Sequence, residues 1–137
     1  YPVSNILPDT GTPDIDSDVR TLENYKLQYN ALKRKMLQFP ENKFIVWTPA
    51  ANVRNRMSAE EAQRAREFHD WIINEWDEKG DNIFVWDFYM YETEGGLYLQ
   101  DRNAMSINDS HPGKEFSEKV AGSLGKFIVD VLGNKIK

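Results

Sequence analysis

The sequence predicts a mixed α/β domain, a parallel sheet flanked by helices, of which these 137 residues supply only part. Three observations point there. Three long stretches carry apolar residues at three- and four-residue steps, the period of a helix with one buried face. Two short runs, Lys43 to Thr48 and Asn82 to Phe88, are nearly continuous in apolar residues, as strands buried on both faces of a parallel sheet are. One helical stretch lies between those two runs, and strand–helix–strand is the βαβ unit, with a right-handed crossover.

Composition narrows the partners. With 40% hydrophobic and 12% aromatic residues the chain has enough apolar material for a core. A net charge of -5 and the lack of a basic stripe argue against nucleic acid. No apolar run approaches the roughly 18 residues of a membrane span. The absence of cysteine excludes disulfides, thiolate metal sites and a Cys nucleophile. Two distant histidines form no metal-ligand pattern, and no motif calls for a cofactor. The chain opens on Tyr1-Pro2-Val3 without a signal-peptide pattern and is expected to be a processed protein or a piece of a larger one.

Residues 1–17 read as loop, punctuated by Pro2, Pro8, Gly11 and Pro13, with Asp16 or Ser17 as N-cap for the first helix. That helix spans about Asp18 to Gln38, with Leu22, Tyr25, Tyr29, Leu32 and Met36 on one stripe, and Pro40 ends it. The first strand, Lys43 to Thr48, stops at Pro49, and the loop Ala50–Met57 follows. Ser58 and Glu61 have the spacing of a capping box. The second helix then runs to about Lys79 with Gly80 as its C-cap. His69 lies at the edge of its stripe and reads as a packed or half-exposed helix histidine. After the second strand, residues 89–112 read as a long polar loop with a short extended piece at Leu97-Tyr98-Leu99. The third helix runs from about Gly113 to Leu132 with Gly133 as its stop. Gly122 and Gly125 weaken it by about 1 kcal/mol each against Ala and are expected to mark close packing.

Two strands cannot bury both faces and cover both edges of a parallel sheet, and sheets commonly hold about five. The sequence therefore reads as the second half of a larger α/β fold. Its first strands would lie on another chain, in a partner copy or outside these residues. The rival expectation is that residues 1–17 and 89–106 contribute edge strands.

In open α/β sheets, sites gather beyond the carboxyl ends of the strands. That edge should collect Thr48, Asn52, Arg54, Asp87, Asp109 and His111. An imidazole beside a carboxylate, just ahead of a helix, is a natural general base. The competing reading of Asn108-Asp109-Ser110-His111-Pro112-Gly113 is a plain loop and helix start.

The strand Phe44–Thr48 with Pro49, the strand Ile83–Phe88, and Asp109-Ser110-His111-Pro112 before a terminal amphipathic helix resemble the C-terminal half of an SGNH (GDSL-type) esterase or acylhydrolase. The resemblance covers roughly residues 40–133. It implies a three-layer α/β/α fold of the flavodoxin-like kind, hydrolysis of acyl esters (carbohydrate O-acetyl groups among them), and a secreted or periplasmic location. It also implies a Ser-His-Asp triad in which His111 is the base. The family's acid lies three residues before the histidine, where this chain has Asn108; Asp109 lies two before. Either Asp109 orients His111, or a Ser-His dyad works with a backbone carbonyl holding the ring. Asn108 could orient the imidazole but supplies no charge. The family's Gly-Asp-Ser and Gly-x-Asn-Asp blocks are absent, so the nucleophile would have to come from a missing N-terminal half or a second chain. Asn5 is then a candidate oxyanion donor, with Thr48 and Asn52 as substrate-binding candidates. Trp47, Trp86 and Tyr89 to Tyr91 are candidate aromatic surface for a sugar. Other readings are a non-catalytic α/β binding or interaction module using the acidic, aromatic loop 89–106, and carboxylate chemistry using Asp87 with Glu92 or Glu94.

Overall fold

A computed structural model describes residues 5–136. The protein is mixed α/β, with four α-helices and two small sheets among the described residues. In chain order the elements are α1 (Leu22–Met36), β1 (Phe44–Trp47), α2 (Ala59–Trp71), β2 (Ile83–Trp86), α3 (Phe88–Thr93), β3 (Ala104–Ser106), β4 (Asp109–Pro112) and α4 (Lys114–Leu132). β1 and β2 pair in parallel, Phe44 opposite Ile83 through Trp47 opposite Trp86, and α2 is the crossover between them. β3 and β4 form a separate antiparallel hairpin.

α1 begins four residues later than the periodicity suggests. Its N-cap is Thr21, whose hydroxyl accepts from Asn24 N at 3.2 Å, not Asp16 or Ser17. The residues before it form an ordered strap fastened by α1's first turn. Glu23 accepts from Thr10 N at 2.6 Å and Gly11 N at 3.2 Å, and Asn24 Oδ1 accepts from Asp14 N at 2.7 Å. The strap makes one parallel bridge, Leu7 with Thr21, and adds no strand to the sheet. Residues 1–4 of the expected N-terminal loop lie outside the described residues.

α2 carries the capping box that its sequence encodes: Glu61 N donates to Ser58 Oγ at 3.2 Å and Ser58 N to Glu61 Oε2 at 2.8 Å. Its end departs from expectation. From Ile72 to Trp76 the helix widens to π geometry and stops there, short of Lys79. The wider turn brings Trp76 against α1, where its indole N–H donates to Tyr29 O at 3.1 Å and its carbonyl accepts from the Lys33 ammonium at 2.5 Å. The last turn is thus a π segment held against α1 by these two contacts. The core between α1, α2 and the sheet centres on Phe68, fully buried, stacked on Tyr25 at 5.4 Å and edge-on to Tyr29 at 4.9 Å.

β2 is buried as expected, but β1 is not buried on both faces: its first three residues are half-buried and Trp47 is 47% exposed. β1 pairs only with β2 among the described residues, so its other edge is open. The stretch 89–112, expected as one loop, holds α3, β3 and β4. Helical period is invisible in a six-residue helix, and short polar strands such as Asp109–Pro112 do not alternate apolar with polar. α4 matches its reading, from N-cap Gly113 to C-cap Gly133. Gly113 serves a close approach, since a Cβ there would lie 3.1 Å from Ala104 O. Gly122 and Gly125 do not mark close packing, because a Cβ at either would meet nothing within 4 Å.

Candidate functional site

The carboxyl edge of β1 and β2 carries two polar clusters joined by one loop. The first centres on the buried His69. Asp87 follows β2 and caps α3, accepting from Met90 N at 3.2 Å and from the Thr48 hydroxyl at 3.3 Å. The same oxygen lies 2.9 Å from His69 Nε2, and His69 Nδ1 lies 2.9 Å from Asp70 Oδ1. Both ring nitrogens face carboxylates, which accept only, so the imidazolium satisfies the arrangement. Burial, the largest influence on His69, opposes its charge; the hydrogen bonds and charges of Asp87 and Asp70 outweigh it and raise the pKa. Burial likewise pushes Asp87 upward, but the bond to His69, its charge and the Met90 and Thr48 donors hold it below its usual range. The imidazole stacks on the buried Tyr89 ring at 4.6 Å.

Glu92 lies on α3 beside this knot and is fully buried. Its Oε2 accepts from Ala51 N at 2.6 Å, while Oε1 has no hydrogen-bond partner among the described residues. Burial pushes its pKa up to about 8. The folded protein therefore keeps this carboxyl protonated at neutral pH, whereas the unfolded chain ionises it near the ordinary value of 4.5. Between those two values the unfolded state binds fewer protons, so stability falls as pH rises through the window. Glu92→Gln should flatten that slope. It should gain about 1–2 kcal/mol at pH 8, less than the full linkage value because the new amide brings donors without acceptors. Urea melts of both proteins at pH 5 and pH 8 check this.

The second cluster is exposed and sits on β4. His111 Nδ1 lies 2.6 Å from Asp109 Oδ1, and the His111 backbone N–H donates to the same oxygen at 3.0 Å. These two His111 contacts, the backbone one first, hold the Asp109 carboxyl below its ordinary range, and the Arg56 charge adds to them. The His111 side chain is 86% exposed, and among the described residues its Nε2 has no hydrogen-bond partner. Asn108 does not touch the imidazole. Its side chain accepts from Asn55 Nδ2 at 3.0 Å and its carbonyl from Arg56 Nε at 2.7 Å, so it ties the hairpin turn to the loop 50–57.

That loop joins the clusters. Ala51 N reaches Glu92, Val53 N donates to Ser110 Oγ at 3.1 Å, and a 3₁₀ turn at Arg54–Arg56 faces Asn108. The strand-end assembly thus brings the 50–57 loop to Asp109, Ser110 and His111. It does not make Thr48 or Asn52 ligand-facing. Thr48 is buried, with its hydroxyl committed to Tyr89 N at 2.8 Å and to Asp87. Asn52 is buried too, its carbonyl accepting from Leu99 N at 2.9 Å. Asn5 begins the strap in the left-handed region, φ 63°, with no hydrogen bond to β4 or the 50–57 loop among the described residues. Of the aromatic candidates, Trp86 and Tyr89 are core, while Trp47 and Tyr91 reach solvent. Asp87, Glu92 and Glu94 do not face one another as a catalytic pair: they bond His69, Ala51 N and Arg102 respectively.

The chain has no match among protein-family models, curated proteins or solved structures. Among the described residues no group of three or more His, Asp or Glu could hold a metal ion, and no helix is long and apolar enough to cross a membrane. The His69–Asp87 and Glu92–Ala51 contacts have no sequence signature. Their partners lie 18 and 41 residues apart, and only the βαβ crossover brings them together.

Proposed function

We propose that this chain carries the acid–base pair of an SGNH-type serine ester hydrolase, with the nucleophilic Ser outside these residues. The observation that carries the reading is the His111–Asp109 pair: one ring nitrogen held by a carboxylate at 2.6 Å, the other open, directly before α4. In this mechanism Nε2 takes the proton from the Ser hydroxyl as its oxygen attacks the acyl carbon, then gives it to the departing alcohol; water repeats the sequence to release the acid. Asp109 keeps the Nδ1–H tautomer and stabilises the imidazolium. The open edge of β1 and the exposed Trp47 support a three-layer α/β/α arrangement in which nucleophile-bearing strands continue the parallel sheet. Beside that edge is an apolar cavity of about 220 Å³, lined by Trp47, Trp86, Phe88 and Phe116 among others.

The test is the mass of the purified particle under native and denaturing conditions, followed by labelling with a fluorophosphonate. One label on a Gly-Asp-Ser segment, in a longer form of this chain or on a second polypeptide, is the expected result. A particle containing this chain that takes no label overturns the reading and favours a non-catalytic α/β binding module.

A further inference from the structure

The turn that braces β4 also walls a polar cleft of about 350 Å³, lined by Arg54, Tyr98, Leu99, Gln100, Asp101 and Arg102. Its volume falls within the range of small-molecule sites. Two of its charged groups are uncommitted. Arg54 stacks its guanidinium over the Tyr98 ring at 4.6 Å and makes no ion pair among the described residues. The Asp101 carboxylate likewise has no ion pair or side-chain hydrogen bond there, whereas Arg102 is bound to Glu94. The cation–π contact places the guanidinium over the ring, and its N–H fork suits two-point binding of a carboxylate. Arg56, on the same turn, donates to the Asn108 carbonyl, and its charge acts on the Asp109 carboxylate. The loop that carries Arg54 is tied to β4 by one contact, Val53 N donating to Ser110 Oγ.

We propose that this cleft binds a carboxylate-bearing sugar, the uronic-acid part of an ester substrate, with Arg54 taking the carboxylate and Asp101 accepting from ring hydroxyls. As a statement about substrate this rests on the hydrolase reading; as a binding site it stands on the cleft itself. An acyl chain would leave Arg54 and Asp101 desolvated without partners, which polar hydroxyls and a carboxylate avoid.

The experiment titrates the full chain with D-glucuronate and, in parallel, with D-glucose, followed by calorimetry or by NMR shifts of Tyr98 and Arg54. Glucuronate should saturate in the millimolar range and bind about tenfold tighter than glucose. Arg54→Gln should abolish that preference and Arg54→Lys restore only part of it, because a lysine keeps the charge but loses the fork. Arg54 is exposed, so both variants should fold, as circular dichroism would verify. No saturation by about 50 mM, equal binding of the two sugars, or an Arg54→Gln variant that binds as the parent does would overturn the proposal. Saturable, Arg54-dependent binding in a particle that takes no fluorophosphonate keeps the site and removes the hydrolase reading. Fluorophosphonate labelling without glucuronate preference does the reverse.

Discussion

Replacing His111 by Ala, in the assembly that carries the nucleophile, is expected to lower kcat about 10⁴-fold and to leave the fold unchanged. Without a base the Ser hydroxyl stays protonated and the leaving alcohol receives no proton, and loss of a triad histidine costs at least this much where it has been isolated. The corresponding loss of transition-state stabilisation is about 5 kcal/mol. Stability should move by less than about 0.5 kcal/mol, because the side chain is 86% exposed and, among the described residues, hydrogen-bonds only Asp109. Asp109→Asn should cost less, around 10²-fold, since this carboxylate is in water and its charge is screened. Asn108→Ala should leave kcat near the parent value, because Asn108 bonds the 50–57 loop and not the imidazole. Initial rates on a chromogenic acetate ester, paired with thermal melts, read both quantities. A His111→Ala protein that turns over like its parent would remove the base assignment outright.

The largest structural effect is expected at Asp87. Asp87→Ala strips His69 of one carboxylate, leaves Met90 N and the Thr48 hydroxyl without their acceptor, and uncaps α3. Breaking a buried ion pair from one side costs about 3 kcal/mol or more. The lower end applies here because the Asp87 side chain is 31% exposed. His69→Phe should cost less, since the ring can still stack on Tyr89 and Asp87 keeps its other donors. The double variant should be more stable than the sum of the two losses implies, because the pair acts as a unit. Its pH dependence follows from the two shifts. The raised His69 pKa makes its contribution fully present below 6.5 and lost as pH climbs through the folded value. The lowered Asp87 pKa makes its contribution present above 3.8 and lost as pH falls through the folded value. The clip is therefore strongest between those limits. Denaturant midpoints of parent and Asp87→Ala should converge on either side of that window, and parallel curves across pH 3 to 9 would contradict the assignment. The clip ties the end of α2 to the start of α3, and α3 carries Glu92, which holds the loop bracing β4. A few-kcal/mol loss at Asp87 should thus also loosen the setting of His111.

Some elements are legible in local chemistry. The Ser58–Glu61 box and the Gly113 and Gly133 boundaries of α4 are written in adjacent residues and appear where that chemistry puts them. The parallel pairing of Phe44–Trp47 with Ile83–Trp86 follows from two apolar runs separated by one amphipathic helix. Other features are not local. His69 reads as an ordinary helix residue until Asp87 is placed beside it, and Glu92 looks like a polar loop residue until α3 buries it against Ala51. Asn108 and Asp109 are equally plausible partners for His111 on paper. The strand conformation of Asp109–Pro112 turns the aspartate toward the ring and the asparagine toward Asn55.

The sequence carries what neighbouring residues can encode: helix period, caps, breakers, and the crossover that makes β1 and β2 parallel. It also placed His111 just ahead of the last helix. Contacts across the fold set the rest: Asn108 turns to the 50–57 loop, Thr48 and Asn52 turn inward, Trp47 stays uncovered, and α2 ends on a π turn against α1. The physical reason is range. Caps and periodicities act within about four residues, whereas burial and ion pairing join groups 18 to 57 residues apart whose meeting depends on every element packed between them.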